Sequence, residues 1–157
     1  FVPAAEGCVI PLLDSIYTRI FTPESIYQCE SAFMADLQQM SKVIMSSSSR
    51  SLILVDEFGK GTYFKDGVAL LTASIENFIS RKELSPIAFI TTHYSQVIDL
   101  IEQKEMVNFK TIVTKKNETG VFESLYEIAD GTSDQHFFTE FPESMKIMKN
   151  INDSKEM

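Results

Sequence analysis

The chain has no surplus of positive charge. Fourteen Lys and Arg stand against 22 Asp and Glu, a net charge of −8 over 157 residues. A surface that grips nucleic acid is basic, so these residues are not the main surface of that kind. No run of 18 apolar residues occurs, which excludes a membrane-spanning helix, and no signal peptide is visible. Cysteine is scarce: Cys8 and Cys29 are the two, and they do not form a C-x-x-C pair. That fits a reducing compartment and no metal site built on cysteine. Asn117-Glu118-Thr119 and Asn152-Asp153-Ser154 match the glycosylation pattern, which in a reducing compartment is chance. No internal repeat occurs. A phosphate-cradling loop of the form G-x-x-x-x-G-K-[ST] is also missing from these residues.

The most informative stretch is Ser51 to Thr62, Ser-Leu-Ile-Leu-Val-Asp-Glu-Phe-Gly-Lys-Gly-Thr. The unbroken apolar run Leu52 to Val55 predicts a strand buried on both faces in the centre of a parallel sheet. Asp56 and Glu57 follow it. Burying unpaired charge is costly, so packing does not account for two acids there. In open α/β sheets ligands sit at the carboxyl ends of strands, which points to a cation; the alternative is a solvated turn. The pattern has the form of a Walker B motif. In P-loop ATPases such an Asp holds the Mg²⁺ that bridges the nucleotide phosphates. The second acid orients or activates the attacking water, a service worth about 10²–10⁴-fold in rate. Gly59 and Gly61 allow a tight bend after the acids.

Around this stretch the chain alternates strand and helix patterns. Ser15 to Ile20 reads as a short strand after the punctuation of Pro3 and Pro11, and residues 21–29 as a loop around Pro23. A helix is predicted from about Ser31 to Met45, with Phe33, Leu37, Met40 and Ile44 as its apolar stripe and Ser31 as N-cap. Residues 46–49 form a short polar loop. A second helix is predicted from a capping Asp66 to about Arg81, with Val68, Leu71, Ile75 and Phe78 inward. Ile87 to Thr91 is a further strand. Tyr94 to about Gln103 reads as a helix with Val97, Ile98 and Ile101 on one face. Phe109 to Thr114 and Val121 to Ile128 predict an antiparallel hairpin about the turn Lys115 to Gly120. The tail from Thr132 is ambiguous, with Pro142 interrupting it and its last residues polar.

Two further positions carry chemistry. His93 stands just after the strand ending at Thr91, with Thr92 between, on the same sheet edge as Asp56 and Glu57. An imidazole there can donate to a phosphate oxygen or to the attacking water, or can be structural. His136 has no such context and is given no role. Ser31 opens a helix, where unpaired backbone N–H groups make an anion site; that is compatible with a plain cap.

These motifs, in this order and spacing, resemble the ATPase domain of the MutS family of DNA mismatch-recognition proteins. The residues that carry the resemblance are Phe1-Val2-Pro3-Ala4, Ile16-Tyr17-Thr18-Arg19-Ile20, Ser31-Ala32-Phe33-Met34, Leu54 through Thr62, Asp66-Gly67 and Thr92-His93-Tyr94. The likeness is dense from Phe1 to about His93 and thin after about Asp130. Within the family, Glu24-Ser25-Ile26, Met34-Ala35-Asp36-Leu37, Phe58 and Lys60 look most like the meiotic fifth MutS homologue; other members usually carry Leu or Ile, and Arg, at the last two places.

The resemblance implies an α/β fold: a fragment of an ABC-type P-loop NTPase, with a mostly parallel sheet flanked by helices and an antiparallel hairpin towards the C-terminus. Residues 1–135 would be the ATPase domain without its P-loop segment, and 136–157 a degenerate helical tail. It further implies ATP and Mg²⁺ as ligands, with Asp56 on the metal, Glu57 positioning water and His93 sensing the γ-phosphate. Ser31 would be the signature serine that reaches ATP bound by the partner subunit. Cys29-Glu30 before it and Ala32 after it depart from the family's small or neutral residues and Thr, and Glu30 sets a negative charge near phosphate.

Because the chain begins in mid-motif and without Met, it is expected to be part of a longer protein whose P-loop lies upstream of Phe1. That parent would hydrolyse ATP and clamp DNA through regions absent here, as a dimer with another MutS homologue. It would work in the nucleus, in mismatch repair or meiotic recombination, without a membrane. The fragment alone is expected to be inactive. The competing expectation is a non-catalytic dimerisation module, favoured by the absent P-loop, Glu30 and the degenerate tail.

Overall fold

The computed structural model describes residues 7–20, 29–117 and 122–132; for 29–32 and 122 it describes the backbone only. The tail after Thr132, His136, the Phe1–Ala4 motif, Glu24-Ser25-Ile26 and the boundary expected at 135 lie outside them. The chain forms two compact units, Phe1–Met106 and Val107–Met157.

In the first unit, β1 (Ser15–Arg19), β2 (Ser51–Asp56) and β3 (Ile87–Thr91) form a parallel sheet in the order β1-β2-β3. The expected central strand is therefore the central strand, and β3 has the expected bounds. Two helices connect the strands, α1 (Cys29–Ser46) and α2 (Phe64–Ile79), and α3 (Gln96–Leu100) follows β3. Such crossovers are what parallel pairing requires.

Expectation and structure differ on the faces of β2. Ser51, Ile53 and Val55 are buried, but Leu52 and Leu54 are only half-buried. The second pair shares a sheet face with Ile16 and with Ile87 and Phe89, their Cα partners or near neighbours in register. Ile16 is 63% exposed and Phe89 65%. The apolar run thus records two apolar faces, of which one is covered. The covered face belongs to a core that includes Met40 and Val43 of α1 and Val68, Leu71 and Phe78 of α2. Each such side chain contributes roughly 1.5–3 kcal/mol on burial.

The helices also shift against expectation. In α1 the buried apolar positions are Met40 and Val43, while Phe33, Leu37 and Ile44 are half-buried. The helix has begun by Cys29, so Ser31 stands in its first turn rather than at the cap. In the same way α2 begins at Phe64, placing Asp66 in the first turn. An acid there suits the positive end of the helix dipole without capping it. Ile75 is half-buried, and Ser74 and Ile79 join the buried face. Arg81 lies past the end of α2 and closes α1 instead, donating to the carbonyls of Ser47 at 3.1 Å and Ile44 at 2.6 Å. These are the carbonyls a helix end leaves unpaired. The third helix is a short one, with Val97 and, just past its end, Ile101 buried. No helix of the described residues is long and apolar enough to cross a membrane.

Among the described residues of the second unit the expected hairpin forms, β4 (Lys110–Lys116) and β5 (Phe122–Asp130), paired antiparallel, with Lys115 and Lys116 in the strand rather than the turn and β5 two residues longer at its end than expected. Between the pairs Ile112↔Ile128 and Thr114↔Ser124, β4 advances two residues and β5 four. The extra residues form a bulge. It contains Tyr126, whose φ is 56° and which is 93% exposed.

Candidate functional site

Parallel strands end on the same edge, and the register places Asp56 opposite Thr91 at the last rung. The chain leaves β2 through Glu57, whose φ is 45°. That left-handed backbone is uncommon for a residue other than glycine. It is held by the Glu57 N–H, which donates to the carbonyl of Thr91 at 3.1 Å and to its Oγ1 at 3.3 Å. The Thr91 hydroxyl in turn donates to Asp56 Oδ1.

The turn directs the Glu57 carboxylate towards two basic groups. Lys60 Nζ lies 3.2 Å from Oε2, and His93 Nδ1 lies 3.7 Å from Oε1. The first is a hydrogen-bonded ion pair; the second is beyond hydrogen-bonding distance. All three side chains are about half exposed, at 54%, 42% and 50% for Lys60, Glu57 and His93, so solvent weakens these attractions.

Behind this edge sits a tight junction. Gly59 has φ 92°, and a Cβ on it would lie 2.9 Å from Gly67 Cα. A Cβ on Gly67 would lie 2.6 Å from the Tyr94 hydroxyl oxygen and 2.7 Å from the Gly59 carbonyl oxygen. The Tyr94 hydroxyl donates to that same carbonyl at 2.9 Å. Gly59 therefore needs glycine, as its sequence position suggested. Gly61 has no positive φ and meets only ordinary contacts; Gly67 is the second glycine the geometry requires. Burial pushes the Tyr94 phenol above its usual range, and the charge of Glu57 adds to this while that of Lys60 opposes it. The Tyr94 ring lies against the His93 imidazole, with centroids 4.3 Å apart, and edge-on to Phe64 at 5.4 Å.

A buried ion pair underlies the end of β2. The Arg19 guanidinium pairs with Asp36 of α1 and donates to the backbone carbonyl of Asp56 at 3.2 Å. Arg19 Nε has no hydrogen-bond partner among the described residues.

Of the four residues singled out from the sequence, the structure gathers Asp56, Glu57 and His93 on one sheet edge. It places Ser31 in the first turn of α1, the third residue of the helix. The sequence reading missed Thr91, Lys60, Tyr94, Gly67 and the Arg19–Asp36 pair as parts of this neighbourhood. Gly67 left one trace, a helix-disfavouring glycine inside a helical pattern, and nothing in its spacing shows what crowds it. Among the described residues no group of three or more His, Cys, Asp or Glu could hold a metal ion by itself.

Comparison with known proteins matches the chain to the family model for MutS domain V over residues 1–155. The DNA mismatch repair protein MutS of Finegoldia magna is 32% identical over 152 residues, covering 96% of this chain and 17% of that protein. The protein of the same name from Bacillus mycoides is 34% identical over 151 residues, covering 92% and 16%. That of Clostridioides difficile is 34% identical over 123 residues, covering 78% and 13%. The chain thus spans at most 17% of the length of these three relatives. With a match that runs through β2, the sheet edge and the hairpin alike, the chain belongs to the MutS family, as a domain V of the kind found in DNA mismatch repair proteins.

Proposed function

We propose that this chain supplies the metal and water side of an ATPase site that controls a clamp on DNA. The observation that carries the reading is the convergence at one sheet edge. Asp56 ends the central parallel strand, Glu57 turns out beyond it, and His93 of the neighbouring strand end faces the Glu57 carboxylate. Asp56 is the metal ligand. Mg²⁺ suits such a place because it binds through one or two carboxylates and fills its remaining positions with water and substrate phosphates, and no cage of several acids is required. When bound, Mg²⁺ neutralises charge on the transferring phosphoryl group. Glu57 positions the attacking water, and the Lys60 pair holds its carboxylate until nucleotide arrives. His93 reads the γ-phosphate. Ser31 acts across a dimer with another MutS homologue, on ATP bound by the partner. The phosphate cradle has to come from outside these 157 residues, and so does the DNA-gripping surface, since this chain is acidic.

The DNA is mismatched, as the names of the relatives suggest for them, or branched as in meiotic recombination. The meiotic reading, with its nuclear location, rests on the resemblance of Glu24-Ser25-Ile26, Met34-Ala35-Asp36-Leu37, Phe58 and Lys60 alone. Binding of the full-length protein to mismatched and to four-way-junction DNA separates the two.

The test of the site is a pair of variants in the full-length protein. Asp56→Ala is expected to abolish Mg²⁺-dependent hydrolysis. Glu57→Gln is expected to keep ATP binding and slow turnover by about 10²–10⁴-fold. Equal loss of binding in both would show that the division of roles is wrong. A second reading, a non-catalytic dimerisation module, is favoured by Glu30, a negative charge directly before Ser31 where the resembled family carries small or neutral residues. Wild-type hydrolysis in both variants, with dimerisation lost on truncating this domain, would establish it.

A further inference from the structure

The hydroxyl of Thr91 is used twice. It donates to Asp56 Oδ1 and accepts from the Glu57 N–H at 3.3 Å. A threonine hydroxyl has one hydrogen and two lone pairs, so its only proton goes to the carboxylate and a lone pair to the amide. The register explains the meeting: Asp56 and Thr91 are Cα partners on one face of the sheet. One Asp56 oxygen is thereby held, while Oδ2 has no hydrogen-bond partner among the described residues. The same hydroxyl and the Thr91 carbonyl secure Glu57 at φ 45°, a conformation that persists only where its surroundings impose it.

A plainer account is that Thr91 is a β-branched residue suited to a strand. Valine serves that purpose equally well, and Thr91 is exposed, so packing does not select the hydroxyl. What distinguishes threonine here is the pair of hydrogen bonds to the two acids.

We propose that Thr91 is a positioning residue for the divalent cation, its hydroxyl fixing the rotamer of Asp56 and the backbone turn at Glu57. This rests on the roles proposed above for those two acids. Hydrogen bonds to a metal-binding group from the next layer out are worth about 10- to 100-fold in metal affinity.

The experiment uses the full-length protein with a non-hydrolysable ATP analogue and titrates Mn²⁺, followed by electron paramagnetic resonance. Thr91→Val, Thr91→Ser and Asp56→Ala are compared, and nucleotide affinity is measured separately in chelator. Thr91→Val is expected to weaken Mn²⁺ binding by about tenfold or more, with metal-free nucleotide affinity unchanged. Thr91→Ser, which keeps the hydroxyl, is expected to stay within about twofold of wild type. Wild-type Mn²⁺ binding by Thr91→Val, together with its loss in Asp56→Ala, overturns the role of Thr91 alone. Equal weakening by Val and Ser overturns the hydroxyl account in favour of a shape effect. Unchanged binding in Asp56→Ala overturns the metal site itself, and the role of Thr91 with it.

Discussion

Tyr94 donates its hydroxyl to the carbonyl of Gly59 at 2.9 Å, across 35 positions of chain and in a buried place. This bond fastens the segment bearing His93 to the loop that leaves Glu57. Tyr94→Phe removes it from a carbonyl shielded from water, at an expected cost of about 1–3 kcal/mol. The phenol also links stability to pH. Its folded pKa lies above the ordinary value near 10, so the folded state holds the proton more tightly than the unfolded chain. That contribution is complete below pH 10 or so and is lost as pH rises through the folded value. Urea denaturation across that alkaline range should show wild type losing stability more steeply than Tyr94→Phe. Parallel curves would mean that another group dominates there.

Gly67→Ala sets two effects of opposite sign against each other. Inside a helix, alanine is favoured over glycine by about 0.5–1 kcal/mol. Against this, the new Cβ would meet the Tyr94 hydroxyl oxygen at 2.6 Å and the Gly59 carbonyl oxygen at 2.7 Å. Overpacking of that kind costs about 1–3 kcal/mol, so the clash wins and a net loss is expected. Thermal denaturation reads the sign directly. A stabilised variant would show that the helix and the loop do not approach so closely.

Much of this neighbourhood could be read from local sequence, because strand ends and acids announce themselves locally. Leu52 to Glu57 suggested a central strand with a polar end, and Ile87 to Thr91 a strand leading to His93. What could not be read depends on contacts distant in sequence. Arg19 and Asp36 are 17 residues apart, and neither shows that it is buried with the other. Gly67 is needed because Gly59 and Tyr94 crowd it, which no spacing rule reveals. Ser31 and Asp66 are good caps by type and so point to helix starts that are too late, since both stand inside a first turn. The bulge in β5 escaped for a related reason: it is a mismatch of register between two strands, visible only once they pair.

Ser31 is proposed to work on the neighbour's nucleotide, so its variant should damage a site this chain does not own. In a dimer of the full-length protein with its partner, Ser31→Arg is expected to lower hydrolysis at the partner's phosphate loop. Nucleotide binding at this chain's own site should persist. A bulky cation attracts phosphate while misplacing it, so turnover is the better readout than binding. Single-turnover hydrolysis with the partner as the sole competent site makes the measurement. Unchanged turnover would reduce Ser31 to a residue of the first helical turn.

Arg19 joins the helix that carries Ser31 to the strand that carries Asp56. Its guanidinium pairs with Asp36 of α1 and donates to the Asp56 carbonyl at 3.2 Å. Breaking a buried pair by removing one partner leaves an uncompensated charge and costs about 3–5 kcal/mol, which is the expected loss for Asp36→Ala. Arg19→Lys is a finer probe. Lysine keeps the charge for Asp36 but is a point donor without the planar fork, so it cannot serve both partners in the same geometry. Its stability loss should therefore be well below that of Asp36→Ala, while ATP turnover by the full-length protein falls because the end of β2 is no longer anchored. Denaturation and steady-state hydrolysis on the same preparations separate the two effects. Turnover that drops only in proportion to the folded fraction would make the Arg19 bond to Asp56 a matter of stability alone.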